Sequence, residues 1–414
     1  MPLTPRCARP LSSPLPRPLF LSDGMSSTEV DSCLHVAERV GLAAAARGSN
    51  FVLSPLSIRA ALGLAAAGAG GETLHQMLSF LGSPTVDHLN SACARLVASV
   101  RPDGDGRVES AGPRLSFVNG VWVDRSLTLK PGFHDVAASV YGAVAKSVDF
   151  QQQADEAAKE VNEWVQKETN GLINELIPEG AVDGYTRLIL ANALYFKGAW
   201  ADKFDASVTR HGTFHLLDNG TVQVPFMTSR RDQFISSFDG FKVLKLCYRR
   251  NPNQRSLLYM LIFLPDKKDG LPLLIHKLSS DPSFIKDHTP RSDVEVRNFM
   301  IPKFNFVCEF EASKVLADLG MKAPFDGGHA DFTEMVSDLP PRDNLFISSV
   351  HHKARIEVDE EGTTAAAATA VCIRSLCYRP PVDFSADHPF MFAIMEEESE
   401  AVLFLGHVVN PLVD

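Results

Sequence analysis

The chain has 414 residues, of which 45% are apolar and 22% charged, and a formal net charge of −10. A chain of this length and balance buries a large core and lacks the composition of a disordered protein. The acidic excess, with no basic cluster, argues against nucleic acid or an anionic membrane as main partner, and no apolar run reaches the roughly eighteen residues that a membrane-spanning helix needs.

Residues 1–24 hold Arg6, Arg9 and Arg17, several prolines and serines, and one acid, Asp23. Leu19-Phe20-Leu21 is too short for the apolar part of a secretory signal, and the prolines spoil an amphipathic helix. The stretch reads as a disordered extension ahead of Met25, with an organellar transit peptide as the alternative. No linker interrupts the remainder, so residues 25–414 are expected to form one domain. The cysteines, Cys7, Cys33, Cys93, Cys247, Cys308, Cys372 and Cys377, are scattered, odd in number and free of Cys-x-x-Cys or Cys/His ligand spacing. That usage predicts a reducing, cytoplasmic compartment, with unconventional export or organellar import through residues 1–24 as alternatives, and gives no reason to expect a metal or cofactor. The sequon Asn219-Gly220-Thr221 would matter only on a secretory route.

In chain order, Val36 to Ala46 has helical apolar spacing, and Ala60 to Leu81 alternates alanine and leucine stretches with Gly68, Gly70 and Gly71. Leu115 to Asp124 alternates as a strand does around Val121, Trp122 and Val123. Ala154 to Leu176 carries Val161-Asn162-Glu163-Trp164-Val165 at helical spacing, with Asn170-Gly171 as its stop. Leu188 to Trp200 reads as a long buried strand. Val243 to Leu246, Leu257 to Leu264, Val294 to Phe306 and Leu345 to Ile356 are further strand candidates between proline and glycine turns.

Known catalytic patterns are missing. The glycines after Ala67 are followed by no Lys-Ser/Thr pair, no Gly-x-Gly-x-x-Gly follows a strand, and no Gly-x-Ser-x-Gly elbow occurs. His351 and His352 are adjacent, and on a strand adjacent side chains point to opposite faces, so they cannot share a metal. The chain is therefore expected not to be an enzyme.

The most unusual stretch lies near the C-terminus, where Glu360-Glu361-Gly362-Thr363-Thr364-Ala365-Ala366-Ala367-Ala368-Thr369-Ala370 leads through Arg374-Ser375-Leu376-Cys377 to Pro380-Pro381. Between Gly362 and Ile373 there is neither proline nor charge, so every amide is free to join a β-ladder and no side chain carries a charge into a sheet. As a strand the segment would put Thr363, Ala365, Ala367, Thr369, Val371 and Ile373 on one face, small at the leading end. An alanine-rich helix and a linker are the rival readings. The helix gives no reason for the threonines, Gly362 or the double proline, and a linker would be richer in glycine and serine.

These residues resemble the hinge of the reactive-centre loop of an inhibitory serpin. Asp387-His388-Pro389-Phe390, Phe404 to Pro411, Ser54-Pro55-Leu56-Ser57, Leu188 to Trp200 and Arg297 to Phe306 are similar to that family as well, so the resemblance covers roughly residues 30–414. The alanines look most like the plant, cereal Z-type members. The resemblance implies an α+β fold of three β-sheets with about eight or nine helices and an exposed loop over about 360–385 whose hinge is Glu360 to Ala368, including Glu361, Gly362, Thr363, Thr364, Ala365, Ala366 and Ala367.

It also implies a buried polar network, the shutter, of Ser54, Ser57, Asn192 and His352 under the sheet opening. The function implied is suicide-substrate inhibition of serine proteases, extending to cysteine proteases, by a monomer. Spacing carried over from the family puts the reactive bond at Leu376–Cys377, which suits chymotrypsin-like or cathepsin-like targets. Many plant relatives carry Leu-Arg at this point and this chain departs from that, so Arg374–Ser375 stays open, with trypsin-like or arginine-directed cysteine proteases as targets. A non-inhibitory serpin that stores or binds is the alternative function.

Overall fold

The computed structural model describes residues 27–100, 114–250, 257–339, 344–361 and 381–413. Its centre is a five-stranded sheet. Five strands, β1 (Arg114–Asp124), β2 (Val144–Val148), β3 (Leu188–Lys197), β4 (Phe304–Glu311) and β5 (Ser349–Val358), lie in the spatial order β4-β5-β3-β1-β2. The outer strand β4 is antiparallel to β5, and β1 is antiparallel to β3. At the middle, β5 and β3 run parallel through nine register pairs, from Ser349↔Ile189 to Glu357↔Lys197.

Every residue of β3 from Leu188 to Phe196 is buried because both faces of the sheet are covered, which explains its continuous apolar run. Helix α1 (Pro55–Ala67) lies on one side. Ser54 caps it by accepting from the Ser57 amide at 3.1 Å, and Pro55 occupies the first turn, where a missing amide hydrogen costs nothing. The alanine- and leucine-rich stretch from Ala60 to Leu81 forms two helices and not one, because the chain breaks at Gly68 to Gly70 before Gly71–Phe80 begins.

Helix α2 (Phe150–Glu168) crosses the other face. Its apolar stripe of Phe150, Ala157, Val161 and Val165 packs with Trp122, Ile189, Ala191 and Tyr195 of the sheet. Asn162, from the motif singled out in the sequence, accepts from the Leu176 and Ile177 amides at 2.8 and 2.9 Å and so fixes the segment that returns to β3. The helix stops where expected, at Asn170 and Gly171, both in the left-handed region with φ of 52° and 76°.

A seven-stranded antiparallel sheet and a four-stranded sheet complete the frame, together with a two-stranded ribbon of Thr128–Leu129 and Val336–Ser337. The architecture is α+β, with nine α-helices among the described residues. The apolar stretch from Val294 to Phe306 is divided among Asp293–Val294, Val296–Pro302 and β4, and Leu345 to Ser348 precedes the strand instead of opening it. Residues 359–381 connect β5 to Val382–Ser385, which lies in the four-stranded sheet parallel to Val296–Pro302. The segment with the unusual sequence therefore leaves directly from one of the two parallel central strands.

Candidate functional site

Midway along the parallel seam, β3 and β5 meet over the start of α1, and the residues brought together there are polar. The Ser54 amide donates to His352 Nε2 at 3.3 Å, and His352 Nδ1 lies 2.9 Å from Asn192 Oδ1. The Ser57 hydroxyl also donates to Asn192 Oδ1, and Asn192 Nδ2 donates to Asn119 Oδ1. Ser54, Ser57, Asn119, Asn192 and His352 are all buried, with at most 2% of each exposed. A buried amide pointing at Nε2 leaves room there only for a lone pair, so the proton sits on Nδ1 and the ring is neutral. Burial pushes the His352 pKa down to about 3, which agrees with that geometry. Four elements, α1, β1, β3 and β5, are tied at this one point.

At the end of the seam where the chain departs from the sheet, a second cluster holds the residues before the unusual segment. Glu360 accepts from the Thr209 hydroxyl at 2.8 Å and pairs with Lys303 at 2.6 Å, while its carbonyl accepts from the Phe204 amide at 3.1 Å. Burial works against its charge, but the bonds from Lys303 and Thr209 outweigh that and hold the carboxyl below its usual range. One residue earlier, the Asp359 carbonyl accepts from the Trp200 indole at 2.8 Å. Trp200 stacks on Tyr248 with centroids 4.5 Å apart. The Tyr248 ring comes so close to Gly198 that a Cβ there would lie 1.8 Å from it, so glycine is required at this contact. Glu361 is exposed, and its amide donates to Asp359 Oδ1 at 3.0 Å.

Gly362, Thr363, Thr364, Ala365, Ala366, Ala367 and Ala368 of the hinge, and Arg374, Ser375, Leu376 and Cys377 of the two candidate bonds, lie outside the described residues. His351 and His352 point to opposite faces, as expected. His351 Nε2 is 2.9 Å from the Ser349 hydroxyl, away from Asn192. No cluster of three or more His, Cys, Asp or Glu side chains suited to a metal occurs among the described residues.

A buried polar knot beneath a parallel seam, with the next chain segment leaving from the seam's end, is a specific arrangement. The family described as Serpin (serine protease inhibitor) matches residues 36–411. The chain is a serpin.

Its relatives include plant Z-type serpins. It is 51% identical to Serpin-ZXA of Oryza sativa subsp. japonica over 88% of this chain and 91% of that protein, and 47% identical to Serpin-ZX of Arabidopsis thaliana over 88% and 93%. The solved structure of Arabidopsis AtSerpin1, described as a native stressed conformation, covers 94% of this serpin and all of that chain with a TM-score of 0.86 at 44% identity. Serpins are for the most part protease inhibitors, not catalysts, although some members inhibit nothing.

The sequence reading missed several partners in this serpin. Asn119 was passed over inside an alternating strand, where an amide among Phe117, Val118 and Val121 was the only sign that it needed a buried partner. Trp200 and Lys303 lie in segments already marked by the resemblance, but nothing joined them or Thr209 to Asp359 and Glu360, because the three come from separate places in the chain.

Proposed function

We propose that this serpin is an irreversible inhibitor of serine proteases, acting as a suicide substrate, with cysteine proteases as secondary targets. The observation that carries the reading is the parallel seam between β3 and β5, coupled to the uncharged, proline-free sequence from Gly362 to Ile373 that follows β5. A strand folded back from the end of β5 and placed between the two would be antiparallel to both. It would replace one parallel ladder by two antiparallel ones, the slightly stronger kind. The description of AtSerpin1 as a native stressed conformation supports the same reading, since a stressed native state has a more stable state to move to.

In this mechanism a target protease attacks one loop bond and becomes acyl-linked to the new carboxyl end. The freed segment then enters the sheet. About ten new ladder bonds at roughly 0.5–1.5 kcal/mol each amount to the order of 10 kcal/mol, enough to carry the attached protease across the molecule and distort its oxyanion hole. Each donor lost from that hole slows deacylation by about 10² to 10³. Before insertion, the knot around His352 and Asn192 must release, because it joins the two strands that separate.

Leu376–Cys377 is the bond we assign to the cut, which selects chymotrypsin-like or cathepsin-like proteases. A cut at Arg374–Ser375 would select trypsin-like or arginine-directed enzymes. We assign the protein to the cytoplasm on the strength of its scattered cysteines, and a tagged full-length chain tests that placement; the monomer rests on the resemblance to the family alone. Mixing the protein with a panel of these proteases tests the function. An SDS-resistant covalent complex is expected, and N-terminal sequencing of the released peptide identifies the bond. A loop that every protease cuts with no complex would make this a storage or binding serpin instead.

A further inference from the structure

The mouth of the seam carries a second set of contacts that the shutter and the grip on Glu360 do not include. Lys197, the last residue of β3, reaches across to β5, where its Nζ lies 2.6 Å from Glu357 Oε1 and 3.2 Å from Asp359 Oδ2. Tyr195, two residues earlier on the same face, also donates to Glu357, at 3.4 Å. The three charged side chains are between 23% and 25% exposed. They sit at the last register pair, Lys197↔Glu357, directly beside the point where the chain leaves β5. A strand placed between β3 and β5 would move these neighbours from about 4.8 Å apart to about 9.6 Å, with another backbone between them. The present contacts cannot survive that step.

We propose that Lys197, with Glu357 and Asp359 as its partners, is a clasp across the mouth of the slot that sets how fast the loop enters. The proposal rests on the insertion reading above. Lys197 is a positioning residue: it touches neither protease nor reactive bond, and acts by holding together the two strands that must part. The outcome of each encounter depends on this rate, because insertion competes with deacylation. A slow slot releases cut inhibitor and active protease, and a fast one traps the enzyme. Part of the contact is open to water, so salt weakens it, and the insertion rate of the native protein rises with ionic strength.

The test uses the intact protein and a synthetic peptide of residues 362–373, which competes for the slot without any protease. In Lys197→Met and in Glu357→Gln the peptide should anneal about two- to fivefold faster than in wild type at low salt, the range expected for losing a partly exposed ion pair. Raising salt from about 0.05 to about 0.5 M should bring the wild-type rate toward that of the variants and leave theirs nearly flat. Lys197→Arg should restore slow annealing, which a merely structural defect would not. If wild type takes up the peptide and traps a protease while both variants match its rates at low salt, the clasp is refuted and the insertion mechanism stands. If neither wild type nor variants take up peptide or form a complex, the insertion reading itself fails and the clasp with it.

Discussion

His352 owes its neutral state to its neighbours: the Ser54 amide occupies one ring nitrogen, Asn192 the other, and no water-exposed side remains to stabilise a charge. The pKa falls from an ordinary 6.5 to about 3 in the folded protein. The unfolded chain therefore binds a proton below pH 6.5 that the native state refuses. Stability from this residue is complete above pH 6.5, declines as pH falls, and is gone below about 3. His407, also buried and pushed down to about 4, adds to the loss in the same window. Urea unfolding of the native protein should show wild type weakening between pH 6.5 and 4. His352→Gln keeps a donor for Asn192 and an acceptor for Ser54 but cannot titrate, so it should lose less over that interval. Equal losses would show that His352 does not govern the acid sensitivity. Asn192→Ala should destabilise the native state by about 1–3 kcal/mol at neutral pH, because Ser57, Asn119 and His352 each lose their buried partner at once.

At the scale of elements, what could be read in advance depended on how local the cause was. The long run Leu188 to Phe196 declared a buried strand, and Asn170-Gly171 declared the end of α2, because burial on both faces and a left-handed stop each leave a mark in consecutive residues. The split of Val294 to Phe306 into separate strands was hidden, since its apolar side chains serve different sheets and the sequence carries no sign of which sheet each one joins. The same limit concealed Lys197. A lysine closing an apolar strand looks like a solvated end until β5 is set beside it. The loop belongs to this scale too. Thr363→Arg would carry a charge into the sheet with the first residues to enter, and burying an unpaired charge opposes insertion. The variant should be cut by the target protease at the normal rate and form little covalent complex, as read by SDS gel. Full inhibition by that variant would remove insertion from the mechanism.

For the whole molecule, the proposed mechanism makes the seam, the polar knot, the grip on Glu360 and the lysine clasp parts of one device. β3 and β5 are held side by side at the middle by His352 and Asn192 and at the mouth by Lys197 and Glu357, while the segment after Glu360 has a sequence suited to lie between them. On the proposed mechanism the native fold is a trapped state that persists only while the loop is intact and the seam shut. The most direct test is to cut the loop with a protease that leaves no covalent complex and to compare melting before and after. Cleavage that lets the segment enter should raise Tm by more than about 10 °C, in keeping with the order of 10 kcal/mol assigned to the new ladders. A cleaved protein that melts at the same temperature as the intact one, or lower, would contradict the account.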